Sequence, residues 1–309
     1  MSFNLLRLRN LSARERSASL ASTVVAPPPD SRGVDRSLTA VLPDDMTEGV
    51  VDADWLTSVS RRLREGRVVD SEFDDIYPTS VRDVSSSFWT PVSVAMRAAE
   101  LLVHRASTRV LDVGSGAGKF CIVGAAVTGA SFTGIEHRAH LVETARSAAS
   151  RLGIEGARFV HGAFDTADVA TYDAIYFFNP FEENLWDSEA RLDDTVKLSD
   201  ERFIADIEHA ERLLAGARIG TRVVTYHGFG GEMPPGYCRA LRERCHTGHL
   251  ELWVKTGGPA ARRLRCANQG VPGVPAGWFV NNGARAIASD RCDGTERASL
   301  LPEIATVRL

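Results

Sequence analysis

The chain has 309 residues, with 36 basic and 40 acidic side chains and a formal net charge of −4. That length holds one α/β domain of about 200 residues with flanking segments, and the weakly acidic balance shows no basic face of the kind that grips nucleic acid. No run approaches the roughly 18 apolar residues of a membrane span, and five scattered cysteines without a C-x-x-C pair point to a reduced, cytoplasmic protein rather than a disulfide scaffold or zinc site.

Residues 1–50 carry Pro27-Pro28-Pro29, many Ser and Arg, and little apolar periodicity, so they are expected to lack fixed structure of their own. Met1–Leu11 alternates Leu and Arg and has no apolar core long enough for a secretory signal. Residues 51–107 read as a small helical cap, beginning with a helix over Trp55–Arg64. The acidic Asp70–Asp75 run reads as a solvated loop, or as a contributor to substrate choice. Ser85–Leu102 holds an aromatic-rich loop and then a helix, with Thr90 as its N-cap and Pro91 in its first turn.

Residues 108–256 form the main domain in this reading. Val110–Phe120 reads VLDVGSGAGKF: an apolar run ending in Asp112, followed by Gly114, Ser115, Gly116 and Gly118. A strand that stops, turns tightly and feeds a helix has this pattern, because glycine permits positive φ and close approach of a ligand. The helix start then offers free N–H groups. A dinucleotide turn needs a third small residue at position 119, which here is Lys119, with the glycine one place early at Gly118. Asp112 would repel a diphosphate and suits a cationic ammonium group. The stretch resembles motif I of the class I S-adenosylmethionine-dependent methyltransferases.

Downstream order agrees with that resemblance. Ser131–Glu136 is a β-rich run ending in an acid 24 residues after Asp112, and Glu136 is placed to accept both ribose hydroxyls of an adenosine cofactor. His137–Leu152 is an amphipathic helix stopped by Gly153, and Ala157–His161 a short strand. After it comes Ala163 where the family often carries an acid. Phe164 is a candidate to stack on the purine, and Asp165 is either a polar contact or a helix N-cap.

Tyr172–Phe178 is a continuous apolar strand running into Asn179-Pro180-Phe181-Glu182-Glu183. This is the family's motif IV position. It is partly similar to the Asn/Asp-Pro-Pro-Tyr/Phe of amino-group N-methyltransferases and to the Asn-Asn-Phe run of the disruptor-of-telomeric-silencing type of lysine methyltransferase. Asn179 and Pro180 would aim carbonyls at the acceptor, and Phe181 would form an aromatic wall. A helix within Leu192–Ala215, a strand over Thr221–Tyr226, and a hairpin turning at Thr247-Gly248 complete the domain, with His227 at a strand end. Residues 257–309, rich in Gly, Pro and Arg, read as a loosely packed tail.

The resemblance implies an α/β, Rossmann-like seven-stranded methyltransferase sheet with helices on both faces and a small helical N-terminal cap. It implies S-adenosyl-L-methionine as cofactor and methyl transfer to an unidentified small molecule or protein, N-methylation slightly favoured. Thr90, Asp112, Gly114, Ser115, Gly116, Gly118, Glu136, Phe164 and Asn179 would bind cofactor, with Asn179, Pro180 and Phe181 at the reacting end. The alternatives are a non-catalytic cofactor-binding protein of the same fold and a nicotinamide-dependent oxidoreductase.

Overall fold

The structure, a computed structural model, describes residues 52–166 and 168–257. The expectations for residues 1–50 and for the tail beyond Gly257 lie outside these residues. Seven strands form one sheet: β1 (Arg109–Val113), β2 (Ser131–Glu136), β3 (Ala157–His161), β4 (Ala174–Phe178), β5 (Arg222–Tyr226), β6 (Tyr237–Cys245) and β7 (Gly248–Lys255). Their order is β3-β2-β1-β4-β5-β7-β6. β1 to β5 run parallel, β7 is antiparallel to β5, and β6 is antiparallel to β7. The chain moves outward from β1 to β3, then returns to place β4 on the other side of β1. That reversal opens a crevice at the carboxyl ends of β1 and β4, where ligands of open α/β sheets bind.

Strand alternation divides the core in two. Val110, Phe132, Ala174, Tyr176 and Val224 face the layer of α5 (Val92–Leu102), α6 (Lys119–Thr128) and α7 (Ala139–Arg151). Leu111, Val113, Ile135, Ile175, Phe177 and Val223 face α8 (Asp200–Gly216). The cap helices α1 (Ala53–Arg64), α2 (Asp70–Asp74), α3 (Thr79–Arg82) and α4 (Ser85–Phe88) join the first layer: Val59, Leu63, Phe73 and Ile76 lie in one cluster with Phe120 and Ile122 of α6.

Local signals account for most boundaries. Asp52 caps α1 by accepting the Asp54 N–H at 3.0 Å, and Arg61, Arg62 and Arg64 occupy its last turn, where cations meet the negative helix end. Ser199 caps α8, its Oγ accepting the Arg202 N–H at 3.2 Å. At the other end of α8, Lys255 Nζ donates to the Leu214 and Ala215 carbonyls at 3.0 and 2.9 Å, and Tyr237 O–H to Leu214 at 3.1 Å. The β6–β7 hairpin is thereby fastened to α8 by the orphan carbonyls of its last turn. Residues 237–245 form a strand, and the hairpin turns at His246-Thr247, one residue earlier than expected.

Two expectations are corrected here. Thr90 does not cap α5; its hydroxyl lies 3.1 Å from the Tyr176 hydroxyl, inside the core. The capping group is the Asp70 carboxylate, which accepts the Val92 N–H at 2.9 Å from 22 residues upstream. The acidic Asp70–Asp75 run is a short helix, Asp70–Asp74, rather than a solvated loop, and Cys121 is a buried free thiol.

Candidate functional site

The turn after β1 sits at the crevice. Gly114, Gly116 and Gly118 all take left-handed φ values, +72°, +53° and +83°. Their reasons differ. A Cβ on Gly114 would lie 2.8 Å from Pro180 Cβ, so this glycine lets the turn after β4 approach. A Cβ on Gly116 would collide with the indole ring of Trp89. A Cβ on Gly118 would lie 2.6 Å from the Phe159 ring and 2.7 Å from Ala145, so this glycine packs the start of α6 against α7 and β3. The first two therefore shape the crevice, and the third shapes the scaffold.

Two buried carboxylates flank the turn. Asp112 is 3 % exposed and accepts a long bond from Cys121 Sγ–H at 3.4 Å. Burial raises its carboxyl from the ordinary 3.8 to about 7; the Cys121 bond opposes this and the charge of Glu136 adds to it. Glu136 is 5 % exposed and accepts from the Gly116 N–H at 3.0 Å and the Arg138 N–H at 2.8 Å. Burial raises its carboxyl, and both backbone bonds oppose the rise. One oxygen is spent on each N–H, and each keeps a lone pair for a hydroxyl. Ser115 Oγ is buried without a protein partner, close against Gly134. An acidic, polar cradle of this kind fits a cationic amino-acid end and a ribose, and disfavours a diphosphate.

The turn after β4 closes the other wall. Asn179 has φ +43°, a region that Asn tolerates better than most side chains. Its N–H donates to Gly228 O at 3.0 Å, and its Nδ2 donates to Glu182 Oε2. Burial raises the Glu182 carboxyl to about 7, with the Asn179 bond acting against it. His227, beside Gly228 at the end of β5, also has positive φ, +58°, and lies against Tyr226 and Gly248. Burial lowers its pKa. It is held by packing within the hairpin, as an ordinary strand-end histidine is.

Phe181 and Phe164 are both buried, their ring centroids 6.1 Å apart, in the layer between the sheet and α8. Phe164 also meets Phe177 at 6.2 Å and His209 at 5.5 Å. Both rings contribute to this second core, where the α8 side offers apolar burial. Asp165 is exposed in the 3-10 turn Phe164–Thr166. The aromatic surface near the turn comes from upstream: Trp89 lies on Gly116 and donates its indole N–H to Val81 O at 3.3 Å, and Phe88 meets Trp186 edge-on at 5.7 Å.

Residues 104–210 match a protein-family model described as a methyltransferase domain. Over those residues, about a third of its length, the chain is similar to that family. Its fold is the Rossmann-like one of the class I S-adenosylmethionine-dependent methyltransferases, with the reversed strand β7 beside β5. Among solved structures, the chain is similar to an RNA methyltransferase from Salinibacter ruber in complex with S-adenosyl-L-homocysteine, 21% identical over 54% of this chain and 92% of that one, with a TM-score of 0.40. It is also similar to TrmN from Thermus thermophilus, 18% identical over 58% of this chain and 54% of that one, TM-score 0.43. A third is MtNAS in complex with MTA and tNA, 15% identical over 66% of this chain and 71% of that one, TM-score 0.39. No curated protein sequence matches the chain.

Two polar clusters around the crevice escape a reading by motif. Lys119, 3 % exposed, turns away from the crevice: its Nζ lies 2.6 Å from Asp70, 2.8 Å from Asp74 and 3.2 Å from Ser85 Oγ. The acidic run is thus the counter-charge of a buried lysine, not a solvated loop, and the residue that broke the dinucleotide spacing locks the cap to α6. Tyr77 adds a 2.9 Å bond from its hydroxyl to Ala117 O inside the same turn. On the other flank, buried Arg138 donates to Glu183 at 2.8 Å and Asp193 at 3.0 Å, joining the end of β2 to the segment after β4. A lysine directly after the last glycine was the available signal for the first cluster. Arg138 had none, because its partners lie 45 and 55 residues away.

Proposed function

We propose that this chain is an S-adenosyl-L-methionine-dependent methyltransferase, with an N–H-bearing acceptor favoured. The observation that carries the reading is the contact between the two turns: Gly114 and Pro180 meet at the crevice between β1 and β4, with Asp112 and Glu136 buried beside them. When bound, the donor supplies an electrophilic methyl group on a sulfonium centre.

The chain's own residues do the rest. Glu136 would hold the ribose hydroxyls through lone pairs that its two backbone bonds leave over. Asp112 would take the ammonium group, and Gly114, Ser115 and Gly116 would line the methionine end. Asn179 and Pro180 would hold the nucleophile in line, since an in-line displacement gains most from fixed geometry and excluded water. Trp89 would cover the turn. The acceptor preference draws on Asn179 and on the exposed acids Asp187, Glu189 and Asp194, set against Arg191, while Glu183 and Asp193 are paired with Arg138. That surface repels polyanions and attracts amines.

The test is tritium transfer from methyl-labelled donor into dialysed cell extract by the full chain. Labelled product that releases methylamine on hydrolysis supports N-methylation. Folded protein that yields no labelled product in any extract overturns the activity.

A further inference from the structure

Glu182 is a half-buried carboxylate for which methyl transfer provides no direct task. It stands three residues after Asn179 and accepts from that residue's amide NH2 group. The Asn179 backbone is fixed independently. Its φ is +43°, its N–H is bound to Gly228 O at 3.0 Å, and its carbonyl accepts the Glu182 N–H at 3.3 Å. What remains free is the direction of the amide group, and the two ends of an amide differ in chemistry: Nδ2 only donates and Oδ1 only accepts. Glu182 accepts from the Nδ2 end through Oε2, the pairing that its ionised form, prevailing above pH about 7, requires. Oδ1 is then directed away from Glu182.

We propose that Glu182 is a positioning residue that sets the polarity of the reacting end. By holding Asn179 through its NH2 group, it presents Asn179 Oδ1 to the acceptor, selecting nucleophiles that carry an N–H. This rests on the reading of the Asn179–Pro180 turn as the methyl-transfer end. Without Glu182 the amide turns freely and offers a donor half the time, which an N–H nucleophile cannot use. Asn179 also has a purely conformational reason to be present, since its φ favours Asn or Gly. The Asn179→Gly variant separates the two roles, because it keeps the backbone and deletes the amide.

The experiment is a double-mutant cycle on the full chain, read as initial rate of tritium transfer into dialysed cell extract. Binding of S-adenosyl-L-homocysteine by titration calorimetry runs in parallel. Asn179→Gly and Glu182→Ala should each lower transfer by about tenfold to a hundredfold, as loss of nucleophile alignment does, with analogue affinity of Glu182→Ala within about threefold of wild type. Glu182→Ala placed in the Asn179→Gly background should then cost less than about twofold more, because Glu182 acts only through the amide. Glu182→Gln, whose amide can either accept from Nδ2 or donate to Oδ1, should recover only part of the rate. Independent, multiplying losses in the double variant would overturn the positioning role while leaving the methyltransferase reading intact. Absence of transfer and of analogue binding by wild-type protein would overturn that reading, and this inference with it.

Discussion

The two turns that meet at the crevice are built on opposite plans. The turn after β1 is enclosed: Trp89 lies on Gly116, Tyr77 bonds Ala117 O, Lys119 is paired with Asp70 and Asp74, and Glu136 holds the Gly116 N–H. Its support comes from three separate stretches of chain, with three glycines supplying the conformation. The turn after β4 is supported mainly by its own residues, Asn179 and Glu182, with the Asn179 bond to Gly228 and the Arg138 clamp on Glu183 from outside it. A donor common to a large family suits a rigid, over-determined cradle. An acceptor particular to one enzyme suits a turn whose chemistry is decided by a few local side chains.

The largest effect should come from breaking the enclosed turn. Gly116→Val adds a β-branched side chain where φ is +53° and the Trp89 ring already stands. The cost is on the order of 3 kcal/mol or more, so thermal unfolding should drop sharply and donor binding vanish. Lys119→Met comes next. Losing the ammonium leaves Asp74 buried without its counter-charge, and about 3 kcal/mol of stability should go. Chemical denaturation reads this directly, and a change below about 0.5 kcal/mol would mean that the ion pairs add nothing to the cradle.

A smaller effect follows from Asp112. Its carboxyl sits at about 7 rather than 3.8, so between those values the folded chain keeps a proton that the unfolded chain has lost, and this group lowers stability as pH rises through that window. A cationic ligand needs the ionised form. Donor affinity should therefore rise by about tenfold from pH 6 to pH 8, measured by calorimetry, and Asp112→Asn should abolish the slope. The smallest effect is expected at Phe164, which is packed in the second core. Phe164→Leu should cost about 1 kcal/mol of stability and leave donor affinity unchanged. A large loss of affinity there would restore the ring to the donor site.

The same contrast governs how much of the molecule its sequence revealed. β2 and β3 were legible to the residue, and β4 to within two, because short apolar runs bounded by polar residues or glycine are local signals. Asp112, Glu136 and the glycines belong to that local grammar. Asp70 capping α5 did not, nor did Arg138 clamping Glu183 and Asp193, because both depend on contacts across the fold. The packing of Phe164 and Phe181 against α8 was hidden for a related reason. An aromatic residue next to a motif reads as a ligand wall, but α8 supplies an apolar surface that the motif does not contain.

The central claim is that the crevice between β1 and β4 holds S-adenosyl-L-methionine through Glu136. Titration of the donor into wild-type protein and the Glu136→Ala variant tests it most directly. Saturable binding by wild type, weakened by about 1.5–3 kcal/mol in a folded variant as expected for lost charged hydrogen bonds, is the predicted result. Equal affinity in the two proteins, or no binding by folded wild type, would contradict it.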